Sequence, residues 1–320
     1  MTFKIYESRY KDIASVTIEN DYLTAVFLPE FGGKMASFRN KGTGEEYLAQ
    51  AENESYKVLE YDGSYVDSEC SGFDDMFPAI DRYFYADYPW KGVEVPDHGE
   101  VCGLRWDWDK EANCLHMSVN GVRFPYRMEK WIRFTSENEL GIVYKVTSLS
   151  SFDMDFIWAA HAIINADEEG GEILLPYGSG SDITCTFSRD EGFSAYGGKM
   201  KWPEAIRRDG RSQKLNETMA RNENGNNYKV FFDERISEGW CGYRYNSTGT
   251  VLKLEFPPEK VPYMALWVSE GSFKGYHSVA LEPCTGTYDR CDLAKMHDQN
   301  SVLKAKSEYS WFINLKVERS

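Results

Sequence analysis

A chain of 320 residues carrying 9 Trp, 21 Tyr and 18 Phe is long enough for a large core and too aromatic for an ordinary helical protein, so sheet is expected. Its formal net charge of -15, from 51 acidic against 36 basic side chains, repels phosphate backbones and anionic lipid. No nucleic acid and no membrane surface is expected as a partner; a neutral or cationic small molecule fits.

The first residues, Met1-Thr2-Phe3-Lys4-Ile5, lack the apolar stretch of a signal peptide, and no run of roughly 20 apolar residues follows, so a cytoplasmic protein is expected. Period-2 alternation predicts strands over 13–18, 22–28, 114–119, 122–134, 139–148, 152–164, 228–232, 240–245, 263–268 and 277–282. Near the end, Leu252, Leu254 and Phe256 oppose Lys253 and Glu255, and Trp311, Ile313, Leu315 and Val317 oppose Asn314, Lys316 and Glu318. Turn signals such as Asp62-Gly63 and Asn120-Gly121 separate several of these runs. Short helices are predicted near 203–208 and 292–299, and a long mobile loop over 210–227. Many strands with little helix and no linker predict an all-β chain: two large antiparallel sheets stacked in one domain over 1–320. No fixed-period repeat supports a propeller. Seven cysteines without a C-x-x-C pair argue for reduced, mostly buried thiols over a disulfide framework or a zinc knuckle.

Several segments carry candidate chemistry. Ser71-Gly72-Phe73-Asp74-Asp75-Met76-Phe77-Pro78-Ala79-Ile80-Asp81-Arg82 mixes carboxylates and a guanidinium with aromatics, as recognition of a hydroxyl-rich ring requires; Asp75 and Arg82 are the candidates, an internal ion pair the alternative. His98 precedes Gly99, which permits close backbone approach; a pairing with Glu100, or a metal site with Glu100 and His116, competes with ligand contact. His161 lies in the apolar run 156–164 between alanines that clear space around it, where a core His bonded to a backbone carbonyl is the alternative. Trp267 offers an aromatic face to sugar C–H groups unless it is simply core. Glu282 shares its strand face with the small Ala280 and Ser278, and Pro283 biases its backbone to an extended form; a strand-end pair with a surface Lys is the alternative.

Pro96-Asp97-His98-Gly99-Glu100-Val101, Trp158-Ala159-Ala160-His161-Ala162 and Ala280-Leu281-Glu282-Pro283-Cys284-Thr285-Gly286 resemble, in order and spacing, the galactose mutarotase-like superfamily of aldose 1-epimerases and hexose-phosphate mutarotases. The resemblance implies a large β-super-sandwich and an enzyme that interconverts sugar anomers without a cofactor or metal. In it Glu282 is the base at the anomeric hydroxyl and His161 the acid at the ring oxygen, while His98, Arg82, Asp75 and Trp267 contact the sugar. Ala-Ala-His-Ala-Ile-Ile-Asn stands where galactose mutarotases usually have Asn-His-x-Tyr-Phe-Asn. A sugar-binding or sensory protein on the same fold, an epimerase of phosphorylated hexoses, and a glycosidase drawing a second carboxylate from Asp74, Asp75 or Asp233 are the other readings. A monomer or homodimer is expected.

Overall fold

The computed structural model describes residues 2–222 and 224–319. Most of its strands form two large sheets and the others three two-stranded ribbons, and the named pairs are all antiparallel. The larger has eleven strands, in the order Lys4–Tyr10, Ile13–Glu19, Leu23–Leu28, Lys34–Asn40, Phe73–Met76, Ala159–Asn165, Tyr276–Cys284, Tyr263–Phe273, Asn227–Phe232, Asp182–Ser188 and Lys199–Lys201. The second has eight, built around Glu308–Arg319, Glu139–Ser148 and Tyr126–Ser136. Inward-facing side chains of both, such as Phe27, Ala162 and Leu281 from the first and Met128, Ile142 and Ile313 from the second, merge into one core, as stacked sheets require. The stacked antiparallel sheets expected from alternation, and the super-sandwich that the resemblance implies, are the observed architecture.

Three local expectations shift. The run at 152–164 is two strands, Met154–Phe156 and Ala159–Asn165, parted where the Trp158 amide donates to Thr285 Oγ1 and the Ile157 amide to Pro78 O. The predicted helix at 203–208 is the strand Glu204–Ile206, paired with Ser212–Lys214 inside the predicted loop. Asp209-Gly210 makes the turn between them, with Gly210 at φ 85° and the Arg207 amide donating to Arg211 O, a hairpin signal that outweighs Pro203 as a helix start. The helix expected near 292–299 is Cys291–Met296. Among the described residues no helix is long and apolar enough to cross a membrane.

On the outer face of the large sheet alternation reverses the core set. Ala160, Ala162 and Ile164 point inward, so His161 and Ile163 point out; Val279 and Leu281 point inward, so Ala280 and Glu282 point out. Neighbouring strands repeat the pattern with Trp267, Lys229 and Asn227. Loops rise around this outer surface and close it into a cavity.

Candidate functional site

The cavity encloses about 480 Å³, and Glu282, His161, His98, Lys229, Asp289 and Tyr65 are among its lining residues. Strand register places the first two together. Pairing of Ala162 with Leu281 sets His161 beside Glu282, and Nε2 lies 3.7 Å from Oε1. Across the next strand Ala265 faces Glu282, and Trp267 faces Lys229, whose Nζ reaches back to within 2.8 Å of Glu282 Oε2 and donates to Asp289 Oδ1 at 2.8 Å. Neither oxygen of the fully buried Glu282 accepts a well-oriented hydrogen bond, and Thr186 Oγ1 and Asn227 Oδ1 on the same cavity wall are likewise unclaimed. Buried polar atoms are nearly always hydrogen-bonded, so several that lack a well-oriented bond and face one cavity mark a place for a ligand that brings hydrogen bonds.

His161 is held from behind. Its Nδ1 is 3.3 Å from the Tyr65 hydroxyl, which donates to Asp74 Oδ2 at 2.8 Å; Asp74 in turn pairs with buried Lys34 at 3.0 Å. With the tyrosine hydroxyl donating to Asp74, its oxygen accepts from Nδ1–H of His161 and Nε2 points bare at the cavity. Burial, with His98, Lys229 and Lys34 nearby, holds His161 well below its usual value, so the free site carries a neutral imidazole. Burial raises Glu282 above the ordinary carboxylate range against the pull of Lys229, and Asp289 pushes the same way as burial. Lys229 stays charged despite its burial, because Asp289 and Glu282 outweigh the desolvation.

His98 closes one side. Its ring stacks on Tyr65 at 3.9 Å between centroids and meets His161 edge-on at 5.5 Å. Its Nδ1 is 2.8 Å from Asp97 Oδ1, and Asp97 Oδ2 accepts from the Tyr65 amide, so one carboxylate fixes both aromatic rings. Burial opposes that charge, but the His98 contact and the Tyr65 amide hold Asp97 below the carboxylate range. The alternative partner Glu100 is occupied elsewhere, by the Tyr61 hydroxyl and the Arg123 amide at 2.7 Å each. His98 and Gly99 both take positive φ, at 61° and 81°, and a Cβ on Gly99 would sit 2.3 Å from Phe77 O. Gly99→Ala is therefore expected to destabilise the fold by about 1–3 kcal/mol, the usual cost of such strain, read as a lowered melting temperature.

Trp267 lines the cavity, against Phe273 at 5.4 Å. Two other candidates do not. Asp75 points into the sandwich interior, where Lys130 Nζ at 2.9 Å and Trp158 Nε1 at 3.0 Å claim its oxygens; its neighbour Asp74 takes the cavity-side position because it faces His161 across the pair. Arg82 lies outside the cavity, 39% exposed, bound to Asp62 at 2.9 Å and Glu94 at 3.1 Å. Arg82→Ala should leave sugar affinity unchanged within about twofold and stability within about 1 kcal/mol, the worth of exposed ion pairs, by calorimetric titration and thermal melting. Lys229, Tyr65 and Asp289 were not anticipated. A signal for Lys229 existed: it interrupts the apolar run 228–232 on the face that alternation assigns to the cavity.

No protein-family model and no curated protein matches the chain. Solved structures do. The Slr1438 protein from Synechocystis sp. PCC 6803 superposes with a TM-score of 0.71 at 16% identity over 98% of this chain and 100% of its own. A galactose mutarotase-like protein from Clostridium acetobutylicum gives 0.70 at 14% identity, over 99% of each chain. The chain has the galactose mutarotase-like fold. A proposed aldose 1-epimerase from Escherichia coli K12 also shares it, with a TM-score of 0.66 at 15% identity over the full length of both chains. At such identities the likeness is one of architecture, and the cavity on the outer face of this mutarotase-like sheet rests on this chain's own residues.

Proposed function

We propose that the protein is an aldose 1-epimerase-like isomerase that interconverts the anomers of a small sugar, with Glu282 and His161 as its proton-handling pair. The observation that carries the reading is their placement: a buried carboxylate, ion-paired to Lys229 through Oε2, turns Oε1 to a buried imidazole 3.7 Å away, both opening onto one cavity. A sugar hemiacetal needs a base at one oxygen and an acid at the other, and such a pair supplies both.

One proton serves the two groups. Burial raises Glu282 from the carboxylate range and lowers His161 from the imidazole range, so their proton affinities approach each other and the proton can pass between them. Lys229, 2.8 Å from Oε2, stabilises the form in which Glu282 is ionised and His161 carries the proton on Nε2. From that state Glu282 takes the proton of the anomeric hydroxyl, the C1–O5 bond breaks as the C1–O1 carbonyl forms, and His161 gives its proton to O5. The proton taken from the hydroxyl is then on Glu282, and His161 is neutral. Rotation about C1–C2 and the reverse transfers close the opposite anomer. The Tyr65–Asp74–Lys34 chain holds His161 in place, and Trp267 offers an aromatic wall to the C–H face of the ring.

A binding protein on the same fold is the second reading, favoured by one observation: Lys229 already neutralises Glu282, which weakens it as a base. Saturation-transfer NMR of anomer exchange across free and phosphorylated aldoses decides. Wild type is expected to accelerate exchange for at least one aldose; acceleration of none, with sugar still bound, would leave the binding reading in its place.

A further inference from the structure

We propose that the cavity selects an aldose bearing an amine and turns away aldoses bearing a phosphoryl or carboxylate group. This rests on the aldose reading of the same site and adds its substrate class.

The argument is an account of donors and acceptors. Glu282 is wholly buried, lines the cavity, and has two oxygens without a well-oriented donor. Asp81 lines it too, and among the described residues its exposed carboxylate has neither a hydrogen bond nor an ion pair; its amide donates at 2.9 Å to the carbonyl of Asp289, a further cavity acid. Asn227 Oδ1 and Thr186 Oγ1 add two more unclaimed oxygens. The cations near this surface are committed: Lys229 to Glu282 and Asp289, Lys34 to Asp74, Lys199 to Asp233, Arg290 to Asp292. The cavity therefore offers acceptors and excess negative charge, and asks its ligand for donors.

Phosphoryl and carboxylate groups bring acceptors and more negative charge, so they meet repulsion and no free cation. A hydroxyl brings one donor. An ammonium brings three, and its bonds to a carboxylate are roughly twice as strong as neutral ones.

Isothermal titration at pH 7 with D-glucose, its 2-, 3- and 6-amino-deoxy analogues and D-glucose 6-phosphate tests the proposal. At least one amino sugar is expected to bind about tenfold tighter than glucose, and the phosphate more weakly than glucose. In Asp81→Asn, and again in Asp81→Ala, the ratio of amino-sugar to glucose affinity should fall to about two or less. Equal affinity of glucose and every amino analogue, phosphate binding as tight as glucose, or a ratio unchanged in both variants would overturn it. Anomer exchange is measured separately. A wild type that exchanges glucose anomers without preferring an amine removes this inference and leaves the function; one that prefers the amine without exchange does the reverse.

Discussion

Glu282→Gln is expected to slow anomer exchange by about two to four orders of magnitude, the ordinary worth of a positioned proton transfer, while sugar still binds. The amide keeps the shape of the carboxylate and donor–acceptor atoms at both oxygen positions but cannot take the hydroxyl proton. His161→Asn should cost a similar factor, because an amide cannot take up and release the proton that Nε2 handles 3.7 Å from Glu282. Since the two residues share one proton, the double variant should lose much less than the product of the single losses. The pH profile separates this from a merely structural role. Adding a second proton to the pair, onto His161, disables the base; because His161 sits well below its usual value, that acid limb should fall below pH 6.5. Exchange at the wild-type rate in Glu282→Gln, measured by saturation-transfer NMR, would remove Glu282 as the base.

Much of this was legible in the chain because a half-buried strand writes its two faces into alternate residues. The face of 277–282 could be assigned before any strand partner was known, with Glu282 beside the small Ala280 and Ser278, whereas the near-continuous apolar run around His161 carries no alternation and takes its direction from its strand partners. Asp75 shows where that reading stops. A four-residue strand between Gly72 and Phe77-Pro78 gives no repeat from which to choose between adjacent aspartates, and only pairing with the strand of His161 assigns the cavity face to Asp74. Arg82 misled for another reason: it follows that strand in sequence, but the chain turns outward, where Asp62 and Glu94 hold it. Tyr65 was hidden altogether. It lies in a stretch without alternation and is fixed by Asp97, 32 residues away. Lys229 stands out locally as a charge in an apolar run, but its place beside Glu282 depends on register across three strands.

Lys229→Met should be the most destabilising change in the site, by about 3–5 kcal/mol, as expected when one partner of a buried ion pair is removed. Methionine fills nearly the same volume, so the loss is electrostatic. The Lys229 side chain is 10% exposed and sits 2.8 Å from both Glu282 and Asp289; without it two buried carboxylates stand near each other with no cation between them. The protein can relieve this by protonating Glu282, already raised by burial and by Asp289 and now free of the lowering effect of Lys229. The sign of the pH dependence follows. A carboxyl raised in the folded state binds more protons there than in the unfolded chain, so stability falls as pH rises from its ordinary value of 4.5 up to the raised one. The gap in melting temperature between wild type and Lys229→Met should accordingly be wider at pH 8 than at pH 5. Adding Glu282→Gln removes one of the stranded charges, so the double variant should regain stability at pH 8 while remaining unable to exchange anomers. If Lys229→Met melted with wild type at both pH values, Lys229 would not be the cation that makes a buried, ionisable Glu282 compatible with the fold.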